Sequence, residues 1–353
     1  MLEIFSLDLG NLQTKIKSNK TEKVLPSRFI DYDDLGDQST SLYNSKLNIN
    51  KYATNFDTLF SYAWGEDLYQ AHSKGDFIDT IQFEDRYDTN EFRLLASFAI
   101  GELAKDFEEA KNGILEVIIV TGVPTNDFNE SSVKSIIKVL NGDHNVTIDE
   151  ESLNIRVKEV KVLPQPIGTV YNEMLDKEGF LQKENYLEEQ VTIVDIGGGT
   201  ILIDTLVNMN LADTGRTQKE SGAYKIYETI VNNCSKDRIP SITTNNIERI
   251  LRDNNDNKYY YKPNKNESYD ITKHVEKAKI KYTREVVNII NTTLKGTSKI
   301  DTLLFTGGGA NLIDQKQILN TFKHAIFVKN SEVANVEGFY KYGLASLLEE
   351  AGV

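Results

Sequence analysis

Cysteine is nearly missing from this chain. Cys234 stands alone among 353 residues, so no internal disulfide can form. Histidine is almost as scarce, and His72, His144, His274 and His324 follow no metal-ligand spacing, which argues against structural zinc. No apolar run approaches the length needed to span a bilayer, and the N-terminus lacks the charged start and cleavage site of a signal peptide. The expectation is a cytoplasmic protein with no membrane partner. Positive charge is also in deficit, 40 Lys and Arg against 53 Asp and Glu, for a formal net charge of −13. Such a balance opposes direct, sequence-independent binding to DNA, so a DNA role requires an adaptor. It also makes self-association sensitive to salt, which screens repulsion between like-charged subunits.

What is present fits a globular protein of two domains: 39% hydrophobic and 26% charged residues in a chain of this length. The most informative stretch is Val191 to Val207, VTIVDIGGGTILIDTLV. An apolar run ends at Asp195, three glycines follow, and a β-branched run begins at Thr200, which predicts strand, tight turn, strand. The glycines let backbone N–H groups face a phosphate, and the carboxylate can hold water around a hard cation such as Mg²⁺. An ordinary glycine-rich hairpin is the competing reading of this segment alone. A second copy shifts the balance, since Ile4 to Lys15, IFSLDLGNLQTK, is again an apolar strand ending in Asp-x-Gly and continuing into a strand. Two similar halves facing each other across a nucleotide would explain the repetition.

LDLGNLQTK, VDIGGGT and the later LLFTGGGANLI resemble the two phosphate loops and the adenosine loop of the actin, heat-shock chaperone and sugar kinase superfamily. Within it, VLPSR (24–28), DRYDTNEFRLL (85–95), VIIVTGVPTND (117–127) and VLPQPIGTVY (162–171) are similar to ParM-type plasmid-segregation actins, a likeness running from residue 2 to about 345. The resemblance implies an α/β, actin-like fold of two duplicated domains, each a mixed sheet flanked by helices, with inserted smaller subdomains and a nucleotide cleft between them. Domain I would comprise 1–165 and about 330–353, with an insert at about 31–80; domain II would be 166–329, with an insert at about 208–298.

The same resemblance implies an ATPase. Asp8 and Asp195 would orient the hydration shell of Mg²⁺. Gly10, Asn11, Gly197, Gly198, Gly199 and Thr200 would hold the phosphates of ATP (or GTP), Lys15 would reach the β- and γ-phosphates, and Gly307, Gly308 and Gly309 would lie against the adenosine. Gln165 falls where the superfamily places the residue that positions the attacking water. Glutamine has no useful basicity, so it would act by hydrogen bonding and hydrolysis would be slow. A solvated strand lysine and a hinge glutamine are the alternatives for Lys15 and Gln165. The implied partners are further copies of the chain in a filament and a DNA-binding adaptor at a plasmid centromere site. A non-polymerising ATPase or a small-molecule kinase of the same superfamily is the alternative function.

Several local expectations come from the residues themselves. Trp64 and Tyr62 should anchor the first insert by packing. Asp88 and Glu91 fit a capping box for a helix whose apolar face is Phe92, Leu95, Ala96, Ala99, Leu103 and Phe107. Ser221 and Gly222 precede a helix whose N-terminus either approaches a phosphate or, as most helix starts do, binds nothing. Thr244 and Asn311 are candidate caps for two later helices. The tyrosine-rich tract at 258–270 reads as an exposed aromatic loop, and Lys273, Lys277, Lys281 and Arg284 share one helix face, most simply a solvated one.

Overall fold

The computed structural model describes residues 2–35, 47–71, 77–80, 86–252 and 258–352. His72, Asp85 and parts of the segments 31–48 and 254–270 lie outside the described residues. The chain starts with strands β1 (Glu3–Leu9), β2 (Gln13–Lys17), β3 (Glu22–Pro26), β4 (Arg28–Asp31), β5 (Asn50–Thr54) and β6 (Asp57–Trp64). The short α1 (Leu68–Ala71), β7 (Ile78–Asp79), α2 (Asn90–Ala104), α3 (Glu108–Asn112), β8 (Leu115–Val123), α4 (Glu130–Leu140), β9 (Gly142–Ile148), β10 (Glu151–Pro164) and α5 (Gln165–Met174) follow. Beyond them come β11 (Gln190–Ile196), β12 (Ile201–Val207), β13 (Asn210–Leu211), β14 (Thr217–Lys219), α6 (Tyr224–Lys236) and α7 (Thr244–Arg252). The chain ends with β15 (Tyr260–Asn264), β16 (Glu267–Asp270), α8 (Thr272–Leu294), β17 (Thr302–Thr306), α9 (Gln315–Thr321), β18 (Ala325–Phe327) and α10 (Ala334–Glu350).

These elements form two compact units, 1–183 with 333–353, and 184–332. Each has a mixed sheet and flanking helices. The N-terminal part of the first unit ends at Lys183, and α5 packs on α10 within that unit. Among the described residues no helix is long and apolar enough to cross a membrane.

In the first unit the strand order is β3-β2-β1-β8-β10-β9-β5-β6-β4-β7, with β1 parallel to β8 and antiparallel to β2. Helix α2 is buried almost all round, which is why its sequence carries little polar face: Phe92 and every residue from Leu94 to Ala104 are buried. Its cap is Thr89, whose side chain accepts from Phe92 N, and not Asp88, which instead accepts from Ser135 Oγ at 2.8 Å. A hydroxyl one residue nearer the helix has the right reach to the third amide, and the carboxylate does not. Trp64 and Tyr62 do anchor the inserted strands: both are buried, both rings pack on Phe98, and Trp64 Nε1 donates to Pro26 O at 2.7 Å.

Buried charge in this unit is matched. Glu102, 3% exposed, accepts from Lys23 Nζ at 2.7 Å, Lys105 Nζ at 2.6 Å and Tyr52 OH at 2.5 Å. Burial pushes its carboxyl up, and Lys105, Lys23 and Tyr52 together outweigh that and hold it below the usual glutamate value. Helices α5 and α10 cross with backbones nearly touching, because a Cβ on Gly338 would stand 1.7 Å from Gly168 O. Lys341 of α10 donates to Asn172 O at 2.7 Å and Leu175 O at 3.1 Å, satisfying carbonyls at the C-terminal end of α5.

In the second unit the sheet runs β13-β12-β11-β17-β18, with β14 also paired to β12. Helices α6 and α8 pack together on it and enclose Ile226, Ile230, Val275, Tyr282 and Cys234 in one apolar cluster. Two caps differ from the sequence reading. Helix α7 begins under Thr243, whose Oγ1 accepts from Asn246 N at 3.3 Å, while Thr244 Oγ1 pairs with Tyr224 OH at 2.9 Å. Helix α9 is capped by Asp314, which accepts from Gln317 N, while Asn311 Nδ2 donates to Ser331 Oγ at 3.2 Å. The tyrosine tract is not an exposed loop. It forms the hairpin β15–β16, with Tyr259 and Tyr261 buried and Tyr260 exposed. Strand alternation directs Tyr261 inward and Tyr260 outward. Lys273, Lys277, Lys281 and Arg284 are all exposed along α8.

Candidate functional site

In the first unit, β1 delivers Asp8 to the mouth of a hairpin. Asp8 is 3% exposed and lies opposite Lys15 on the β1–β2 ladder, with Lys15 Nζ 3.6 Å from Asp8 Oδ2. The turn is Gly10 to Leu12, and Gly10 is required there because a Cβ would stand 2.7 Å from Gln13 O. Two donors reach the Gly10 carbonyl, Ser27 Oγ at 2.6 Å and Arg86 Nη2 at 2.9 Å. Because the peptide is trans, the N–H of Asn11 points opposite to that carbonyl, toward the exposed side of the turn. Gln165 is the first residue of α5, half-buried, directly after Pro164.

In the second unit, β11 and β12 form the expected antiparallel hairpin, in register from Gln190↔Val207 to Ile196↔Ile201. Asp195, 7% exposed, sits one residue before the strand end. The turn is closed by Gly197 N donating to Thr200 O at 2.9 Å, so the Gly197 amide is engaged inside the loop. The carbonyls of Gly197, Gly198 and Gly199 accept from Ala223 N, Tyr224 N and Gly222 N, at 2.9, 2.9 and 3.0 Å. The start of α6 is therefore occupied by the glycine turn itself. In trans peptides this turns the amides of Gly198, Gly199 and Thr200 to the opposite side, where Gly198 and Gly199 are exposed. Gly222 permits the approach, since a Cβ there would stand 2.4 Å from Gly198 O.

The third glycine run closes on the same strand end. Gly307 has φ +82°, donates to Ser331 O at 3.0 Å and accepts from Ser331 Oγ at 2.9 Å. A Cβ on Gly307 would meet Asp195 Oδ1 at 2.4 Å, and one on Gly309 would meet Ile196 Cγ2 at 2.3 Å. The closeness these glycines allow is thus to β11, leaving Gly308 as the half-exposed member of the run. Sequence reasoning missed Ser27, Arg86 and Ser331. Each acts on a loop peptide far away in the chain, and nothing in local spacing marks them.

Among the described residues no group of three or more His, Cys, Asp or Glu gathers to hold a metal. Each hairpin instead presents one largely buried carboxylate beside outward amides. That donor set suits Mg²⁺, which keeps much of its water and binds through a carboxylate or two plus phosphate oxygens.

The fold and these loops define the class as actin-like. Residues 6–168 match the family model described as the N-terminal domain of actin-like proteins, and residues 190–339 match the Alp7A C-terminal domain. The chain belongs to the actin-like proteins, with a C-terminal part of the Alp7A kind. Among solved structures it is similar to apo psk41 ParM, at 26% identity and TM-score 0.77, covering 99% of this chain and 98% of that one. It is also similar to ParM of Bacillus thuringiensis with AMPPNP, at 16% identity and TM-score 0.70, covering 99% of each chain. The Alp12 filament structure matches at 17% identity and TM-score 0.67, over 98% of this chain and 99% of that one. No curated relative matches the chain by sequence.

Proposed function

We propose that this chain is a filament-forming, slowly hydrolysing ATPase, with GTP as the other candidate substrate, that moves plasmid DNA through a DNA-binding adaptor. The observation that carries the reading is the common construction of its two acidic hairpins. In each, a strand carries a largely buried aspartate as its penultimate residue, and donors behind the turn, on the Gly10 carbonyl in the first and on the Gly197, Gly198 and Gly199 carbonyls in the second, turn the following amides outward. Outward amides beside a carboxylate are what a triphosphate and its cation need. Mg²⁺, when bound, would neutralise charge on the β- and γ-phosphates.

The chain's own residues then have separate tasks. Lys15 contributes an ammonium to the phosphates. The amides of Asn11, Gly198, Gly199 and Thr200 orient phosphate oxygens, and Asp8 and Asp195 accept hydrogen bonds from water around the cation. Gln165 orients the attacking water without taking its proton. Relatives of this fold are described with AMPPNP and as a filament, which supports nucleotide-dependent assembly here. Light scattering and phosphate release, recorded with Mg-ATP, Mg-GTP and no nucleotide, test the proposal. A rise in scattering only with nucleotide, followed by slow phosphate release, is expected; turnover that needs a sugar and gives no scattering would replace it with a kinase.

A further inference from the structure

We infer that Arg86 is a positioning residue for the first phosphate turn, doing in the first unit what the start of α6 does in the second. Four residues form a closed ring of hydrogen bonds. Arg86 Nη2 donates to Gly10 O at 2.9 Å and Arg86 Nε to Thr80 O at 3.0 Å. Thr80 Oγ1 donates to Ser27 O at 2.9 Å, and Ser27 Oγ returns to Gly10 O at 2.6 Å. Because the single Ser27 hydroxyl proton goes to Gly10, the 2.9 Å contact with Thr14 has Thr14 Oγ1 as donor, which fixes the serine rotamer.

The ring has one outlet, the peptide between Gly10 and Asn11. With two donors on its oxygen, that peptide cannot rotate without leaving a buried hydroxyl and a guanidinium unsatisfied. Its N–H is thereby fixed outward before any ligand arrives, which is preorganisation of an anion contact. Thr80 and Ser27 are fully buried, so water does not readily take over either role. The guanidinium is packed against the Phe92 ring, 5.2 Å from its centroid, which restricts it further. Both ring acceptors of Arg86 are neutral carbonyls, while the Asp8 and Asp127 carboxylates lie near enough to offset part of its charge, so its contribution is the position of the Gly10 peptide. Local spacing does not reveal the ring, because Arg86 and Gly10 are 76 positions apart.

This inference rests on the nucleotide reading of the site. The test compares ATP, by calorimetric titration, with adenosine, by ligand-observed NMR, on the full chain. Arg86→Gln is expected to weaken ATP about tenfold, the scale of one lost charge-assisted hydrogen bond, and to leave adenosine unchanged. Arg86→Lys, which keeps the charge but cannot make both contacts, should recover part of the loss. Ser27→Ala, a milder change that removes the other donor to Gly10 O, should weaken ATP severalfold with adenosine unchanged, and it decides the matter where Arg86→Gln does not fold. Equal losses for ATP and adenosine, or ATP binding unaltered in folded variants, would overturn the positioning role. Wild-type protein that binds neither ATP nor GTP would remove the nucleotide reading itself, a result distinct from either.

Discussion

Asp8 and Lys15 face each other on one rung of the β1–β2 ladder, and the Lys15 ammonium stands 3.6 Å from Asp8 Oδ2. Both side chains are largely shielded, at 4% and 15% exposure, so the pair is more than a chance surface contact. The hairpin places a cation and an anion side by side next to the Gly10 turn. A polyphosphate with its own cation is a natural partner for such a pair, each charge finding a counterpart.

Lys15→Met is expected to weaken ATP binding by about 2 kcal/mol, roughly thirtyfold, as a charge-assisted phosphate contact is lost. Thermal stability should fall as well, because the largely buried Asp8 carboxylate loses its cationic neighbour, so affinity is compared at a temperature where both proteins are folded. Calorimetric titration of both proteins checks this; equal affinities would remove Lys15 from phosphate contact.

Asp195→Asn keeps the shape that packs against Gly307 while removing the charge. Phosphate release should fall by roughly two orders of magnitude or more, the scale of deleting one preorganised electrostatic group, with the melting temperature preserved. Turnover at the wild-type rate would exclude Asp195 from the reaction.

Gly338→Ala drives a methyl group toward Gly168 O, which a Cβ would approach to 1.7 Å. Urea unfolding should register a loss of about 3 kcal/mol, since neither helix backbone can yield locally. Gly142→Ala is the control: φ there is +102° but a Cβ meets nothing within 4 Å, so only backbone strain of about 1–2 kcal/mol is expected. Comparable small losses at both positions would mean that the α5–α10 crossing adjusts easily.

Glu102→Gln removes the charge that Lys23, Lys105 and Tyr52 converge on, and should cost about 2–3 kcal/mol at neutral pH. The folded carboxyl titrates below its unfolded value, so between the two the unfolded state binds more protons and stability rises with pH. Its contribution is therefore complete above the ordinary glutamate range, near 4.3, and disappears as pH falls through the lowered folded value. Urea midpoints of the two proteins should converge on acidification; a gap that stays constant to low pH would assign the loss to packing alone.

How far the sequence could be read depended on whether a signal was local. Strands β11 and β12 were legible because alternation, an aspartate and a glycine run lie within one short stretch. Caps were less legible where polar neighbours compete. Thr89 beside Asp88, Thr243 beside Thr244, and Asp314 after Asn311 differ by reach to an amide, which composition does not encode. The tyrosine tract misled because a polar surround hides strand alternation. The roles of Arg86, Ser27 and Ser331 were not legible, even with Ser27 and Arg86 inside segments that carry the resemblance, since each serves a peptide brought close only by the fold.

Cys234 is completely enclosed in the second unit's core, and burial pushes its thiol up to about 11. At neutral pH it is neither a thiolate nor within reach of a bulky maleimide. The native chain therefore gives almost no background in thiol chemistry, and a cysteine introduced at an exposed place such as Leu59, 86% exposed on β6, would take a dye as the sole reactive position. A fluorescence reporter of assembly needs no prior cysteine removal.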